Sequence, residues 1–161
     1  MSNLISTEIA ETIDQSVLCW PATVSCDGLP NVSPKEAFLH DGEGRILVAN
    51  IASPVTLKNI KQNERVCLSF VNVFIQKGFK VAGTATVLNP EDDGYSERLD
   101  KLSGMIGTTF PIIEITPTSI DEIIAPSYRL FPESAPADRI REALQTYRVN
   151  DYMERIESPP Q

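Results

Sequence analysis

Ser53, Thr56 and Lys58 open the segment SPVTLKNIKQNE (53–64) with two hydroxyls and an amine. Val55, Leu57, Ile60 and the lysine spacing predict a helix there, with Ser53 as N-cap and Pro54 as first helical residue. A helix start presents free backbone N–H groups and partial positive charge, so the matching chemistry is phosphate binding. Ser53 and Thr56 add hydroxyl donors at that end, and Lys58 lies one turn further in. Plain helix capping accounts for the same residues, and at this level both readings stand. Just upstream, Ser33-Pro34-Lys35-Glu36 lies in one strand. The next strand ends in Ala49-Asn50 and turns through Ile51 and Ala52 into the helix. A second cluster interrupts the strand-like run NVFIQKGFKVAG (72–83) with Gln76, Lys77, Gly78 and Lys80. Strand alternation puts Gln76, Gly78 and Lys80 on one face and Lys77 on the other. The two lysines can meet the same ligand only if a bulge at Gly78 resets the register.

Charge supports a small anionic partner. The 161-residue chain carries net charge −8, which argues against nucleic acid and against an anionic membrane surface. Residues 1–53 have net charge −5 and residues 81–161 have −7, but residues 54–80 have +4. That basic segment holds Lys58, Lys61, Arg65, Lys77 and Lys80 against Glu64 alone, and Lys35 is placed to join it in space. For Lys61 and Arg65, a solvated helix face is the competing account.

Other chemistries lack their residues. There is no G-x-S-x-G elbow, no Walker loop and no G-x-G-x-x-G. His40 is the single histidine and sits beside a turn. Cys19, Cys26 and Cys67 are odd in number and form no C-x-x-C pair, so neither a disulfide framework nor a metal site is expected. Buried structural thiols are the expected reading. The acidic N-terminus has no basic n-region or apolar h-region, and the run at 66–76 falls short of the about 20 residues a membrane helix needs. A cytoplasmic protein without a membrane partner is therefore expected. With so few catalytic side chains, a cofactor is the natural carrier of any hard chemistry.

The elements that would position these residues can be read from periodicity. Ile5, Ile9 and Ile13 predict a first helix capped by Ser6 or Thr7. Strands follow at 17–26, 31–39 and 45–50, joined by turns at Asp27-Gly28 and at 40–44. After the helix at 53–64 come strands at 65–74 and 79–88, an amphipathic helix at 95–106, a strand at 108–120 and a helix at 136–156. The length suits one domain, here 1–156, with 157–161 a loose tail. Short connections make the early strands antiparallel neighbours. The expected class is mainly β with peripheral helices, a small six-stranded antiparallel barrel.

Two stretches carry a resemblance: GLPNVSPKEAFL, and RILVANIASPVTLKNIKQNERVCLSFVNVFIQKGFKVAGTA. In order and spacing, over roughly residues 15–90, the chain resembles the FMN-binding split-barrel family related to pyridoxamine 5′-phosphate oxidase. It is most similar to the family's small flavin-nucleotide-binding proteins. The resemblance implies a split β-barrel homodimer with FMN in a groove at the subunit interface. Pro34, Lys35 and Glu36 would line the flavin, and Ala49, Asn50 and Ile51 would bond the ring edge. Ser53 and Thr56 would hold the phosphate, and Gln76, Lys77 and Lys80 would approach from the other cluster. The chain departs from the oxidases in two places. Their phosphate-gripping Arg-Lys pair falls on Val55-Thr56, which leaves Lys35, Lys58 or Lys80 to neutralise the phosphate. Their C-terminal basic and histidine residues are also missing, so pyridoxine phosphate is not the expected substrate.

The leading expectation is an FMN-dependent oxidoreductase acting on a small-molecule substrate or electron donor. The alternatives are a non-catalytic flavin store, sensor or electron carrier, and a deazaflavin-binding reductase.

Overall fold

The computed structural model describes residues 4–157. The first helix, α1 (Thr7–Gln15), begins where Ser6 accepts a hydrogen bond from the Ile9 N–H at 3.3 Å. It sends Ile9 and Ile13 inward from one face. The strands are β1 (Cys19–Val24), β2 (Pro30–Val32), β3 (Phe38–His40), β4 (Ile46–Ala49), β5 (Arg65–Asn72), β6 (Lys77–Leu88) and β7 (Ile112–Ile124). Between them lie α2 (Pro54–Gln62) and α3 (Tyr95–Leu102). The chain ends in α4 (Ser127–Leu130), α5 (Pro136–Thr146) and α6 (Val149–Glu157).

All strand pairings are antiparallel, in the order β2-β1-β5-β6-β7-β4-β3. This is the expected split barrel, with seven strands where the sequence pattern suggests six. The extra strand arises inside 31–39. Its beginning pairs with β1, and Lys35 still exchanges both backbone bonds with Cys19 at 2.8 and 2.9 Å. Two residues later the Ala37 carbonyl accepts from Ala49 N–H at 2.9 Å, next to the pairing of β3 with β4. One straight strand cannot pair with both ends of the sheet. The chain bends through Ser33–Glu36 and thereby closes the barrel.

Alternation along β4 separates two cores. Ile46 and Val48 face the interior with Phe38, Leu68, Phe70, Val81, Ile113 and Ile115, where Ile9, Ile13 and Ile60 also insert. Leu47 and Ala49 face outward onto Tyr95 and Leu102 of α3. Burial on both faces explains the continuous apolar run of this strand. β7 follows β6 along its length by bulging at Ala82/Gly83. A Cβ at Gly83 would collide with the Thr116 carbonyl, so the bulge requires glycine.

Other boundaries shift. The strand expected at 108–120 begins at Ile112 and runs to Ile124, and the helix expected at 95–106 stops at Leu102. The helix expected at 136–156 divides into α5 and α6 at Arg148, whose φ is 54°. Residues 158–161 of the expected tail lie outside the described residues, while residue 157 ends α6. Among the described residues, no helix is long and apolar enough to cross a membrane.

Candidate functional site

The bend that closes the barrel also builds a groove. Pro34, Lys35 and Glu36 come from the bend, and Ala49 from the end of β4. Ile51, Ala52 and Ser53 come from the turn into α2. Together they enclose about 380 Å³. The β4–α2 turn is held by Asn50, whose N–H donates to the Pro111 carbonyl at 2.8 Å. Two segments, 34–36 and 49–53, thus meet because the chain bends where the barrel closes.

Lys35 organises the groove. It is 5% exposed, and its Nζ donates to Asn50 Oδ1 at 2.8 Å and Ser53 Oγ at 2.6 Å. Desolvation holds the ammonium below the usual lysine range, and only the neighbouring Cys19 acts in the other direction. Burial pushes the Cys19 thiol far above the ordinary range, so at neutral pH it carries no compensating charge. Ser53 stands at the N-cap of α2, yet its hydroxyl makes no cap bond to the helix. Lys35 has taken that hydroxyl instead.

Behind the groove runs a buried polar network. Thr56 is 0% exposed, and its hydroxyl is shared with Ser33 Oγ at 3.0 Å and accepts from Asn31 Nδ2 at 3.2 Å. Asn31 also donates to Thr23 Oγ1 at 3.2 Å, which accepts from Asn59 Nδ2 at 3.1 Å. These bonds tie α2 to β1 and β2 and fix where the helix begins.

The groove therefore unites Pro34, Lys35, Glu36, Ala49, Ile51 and Ser53, with Asn50 bonded to its lysine. Thr56 sits one layer behind, with its hydroxyl committed to the network. Lys58 is exposed on α2. Gln76, Lys77 and Lys80 lie elsewhere in the protomer. Gln76 ends the β5–β6 turn with φ 54°, and its carbonyl accepts from Ala125 N–H at 3.2 Å. Lys77 pairs with Glu122 at 3.8 Å and lies 4.9 Å from the centroid of the Tyr128 ring. Lys80 pairs with Asp121 at 3.4 Å. The β5–β6 register is regular through Gly78, so the two lysines project to opposite faces. Gly78 itself is required by β5, because a Cβ there would meet the Phe70 carbonyl. Of the cysteines, Cys19 is buried as expected. Cys26 is exposed in the β1–β2 turn, and Cys67 is half-buried, because alternation turns it to the outer face of β5.

Sequence reasoning missed Thr23, Asn31 and Asn59. Asn59 follows Thr56 by three residues, the spacing of one helix face, and that was the available signal. Thr23 and Asn31 become neighbours only through the β1–β2 register.

The comparisons with known proteins agree with this architecture. No curated protein matches the chain. Among crystal structures, a point variant of HupZ from Group A Streptococcus is 24% identical, with TM-score 0.66 over 74% of this chain and 99% of that one. A Lactobacillus delbrueckii protein assigned by its name to pyridoxamine 5′-phosphate oxidase is 23% identical, with TM-score 0.62 over 74% and 95% of the two chains. A structure named F420 reductase is 23% identical, with TM-score 0.53 over 72% and 98%. At these identities the likeness establishes the fold. A family model described as pyridoxamine 5′-phosphate oxidase matches residues 5–123, the whole barrel up to the end of β7. The chain belongs to the pyridoxamine 5′-phosphate oxidase family.

Proposed function

We propose that the protein is an FMN-binding flavoprotein that works as an oxidoreductase, with the flavin held in the Lys35 groove at the interface of a homodimer. The observation that carries this reading is the groove's donor set. A buried lysine with no carboxylate partner among the described residues stands beside the first turn of α2, and Pro34, Ala49, Ile51 and Ala52 supply apolar wall. That combination suits a ligand with an apolar body and a negative group. Lys35, Asn50 and Ser53 would hold its polar edge, and Ile51 and Pro34 would cover its face. Thr56 would act indirectly, by fixing the helix start. When bound, the flavin supplies the electron transfer, and the protein binds it, orients it and places positive charge near it.

A homodimer is supported by the outer face of β1, β2, β5 and β6. It carries Trp20, 41% exposed, and Val32, 59% exposed, neither of which belongs to the two apolar cores. Lys80 projects on the same face. Pairing two such faces would let the Gln76–Lys80 segment of one protomer approach the groove of the other.

The test is an absorption spectrum of the purified protein, with chromatography of any cofactor released on denaturation. Yellow protein releasing FMN supports the proposal. Colourless protein with no spectral change on FMN titration rejects it, and release of a deazaflavin would change the ligand. Bound FMN without NADH- or NADPH-driven turnover would reduce the role to flavin storage or electron carriage.

A further inference from the structure

We infer that Lys35 is a proton-linked anion anchor: when a negatively charged group enters the groove, the protein takes up a proton with it. The inference rests on the reading of this groove as an anion site.

The geometry carries the argument. Lys35 is locked in place by its two backbone bonds to Cys19, at 2.8 and 2.9 Å. Its Nζ spends two donors on neutral oxygens of Asn50 and Ser53. An ammonium has three N–H donors, so one remains for a ligand. A cation this deeply buried ordinarily has an acidic partner, because desolvating an unpaired charge is costly.

No facing element supplies one. β1 offers the Cys19 thiol, which burial keeps protonated. The bend offers Glu36, which lines the same groove but, among the described residues, makes no ion pair with Lys35. The residues of β4 and the Asn50–Ser53 turn are uncharged. α2 brings its positive dipole end and the exposed Lys58 and Lys61, all of the same sign as Lys35. Burial therefore lowers the pKa of Lys35 below the ordinary lysine range, and a bound anion raises it again. The ligand class is an anion with an apolar body, which places its negative group at Lys35 and away from Glu36.

The full chain is titrated calorimetrically with FMN, and separately with sulfate, in two buffers of different ionisation enthalpy. Work at pH 8 and above keeps the FMN phosphate fully ionised, because its second pKa is about 6. The expected result, at pH values above the lowered pKa of Lys35 in the free protein, is uptake of up to about one proton per bound FMN, with the dissociation constant rising by up to about tenfold per pH unit. Lys35→Arg retains a positive charge that does not titrate, so any binding by it takes up no proton. FMN binding by the wild type without proton uptake overturns the inference and leaves the flavin proposal standing. Proton-linked sulfate binding without FMN binding overturns the flavin proposal and leaves the anchor standing. Failure of both probes overturns both. If Lys35→Arg does not fold, NMR of the 13C-lysine-labelled wild type decides. One lysine must titrate below the ordinary range in the free protein and shift upward when FMN or sulfate is added. If none does, the inference falls.

Discussion

Lys35 Nζ lies 2.6 Å from Ser53 Oγ, and this contact takes Ser53 out of the capping role its position suggests. A charged donor to a hydroxyl is worth about 1.5–3 kcal/mol, whereas an N-cap hydroxyl is typically worth about 1 kcal/mol. The two roles separate in a double-mutant cycle. Ser53→Ala and Lys35→Met should couple by more than about 0.5 kcal/mol in urea unfolding, as residues in contact do. Additive effects would mean that Ser53 serves the helix alone. Ser6→Ala, at a true cap, should cost about 1 kcal/mol.

The Lys35 titration also has a stability signature. Its folded-state pKa is depressed, so the unfolded chain binds more protons between that value and the unfolded value of about 10.4. Stability from this group rises with pH across that window and is lost as pH falls through the folded pKa. Wild type should therefore gain on Lys35→Met as the pH is raised from 7 to 10, measured by urea unfolding. A constant difference between the two would contradict it.

The turn at 40–44 is pinned by Asp41, which accepts from the Glu43 N–H at 2.7 Å, the Arg45 N–H at 3.0 Å and Arg45 Nε at 2.6 Å. Burial alone would raise its carboxyl, but the bonds from Arg45 and Glu43 outweigh that and hold it below the usual range. Asp41→Asn should cost about 1–3 kcal/mol at pH 7. The stabilisation is complete above the unfolded value of about 3.9 and disappears as pH falls through the folded value. The wild type and the variant should therefore converge in acid unfolding.

Gly78 and Gly83 leave no room for a Cβ, since each would strike the backbone of a neighbouring strand. Gly78→Ala and Gly83→Ala should each destabilise by about 1–3 kcal/mol or more, seen as a lower Tm. Gly107→Ala, with open space around it, should change Tm little.

Lys77 and Lys80 face opposite sides of β6, so one flavin cannot draw on both from the same strand. FMN affinity should fall in only one of Lys77→Ala and Lys80→Ala. Equal losses would require a register different from the observed one. Neither change should cost more than about 1 kcal/mol of stability, because both ion pairs are solvent-screened.

The local pattern by itself determined the element types. Isoleucines every fourth residue made α1, Ser53-Pro54 started α2, and runs of strand-forming residues marked β1, β5 and β6. These signals are legible because they depend on neighbours within one or two turns. The groove was legible only as a set of residue types, since Lys35, Asn50 and Ser53 meet through barrel closure. Three outcomes were decided by tertiary structure alone. The strand at 31–39 became two because it must pair with both ends of the sheet. The Ser53 hydroxyl went to Lys35 because burial leaves that ammonium few other acceptors. Gly78, where a bulge would have been needed to bring Lys77 and Lys80 to one ligand, instead makes room for the carbonyl of Phe70. Each depends on which strand lies alongside, and long-range register is what a local pattern does not encode.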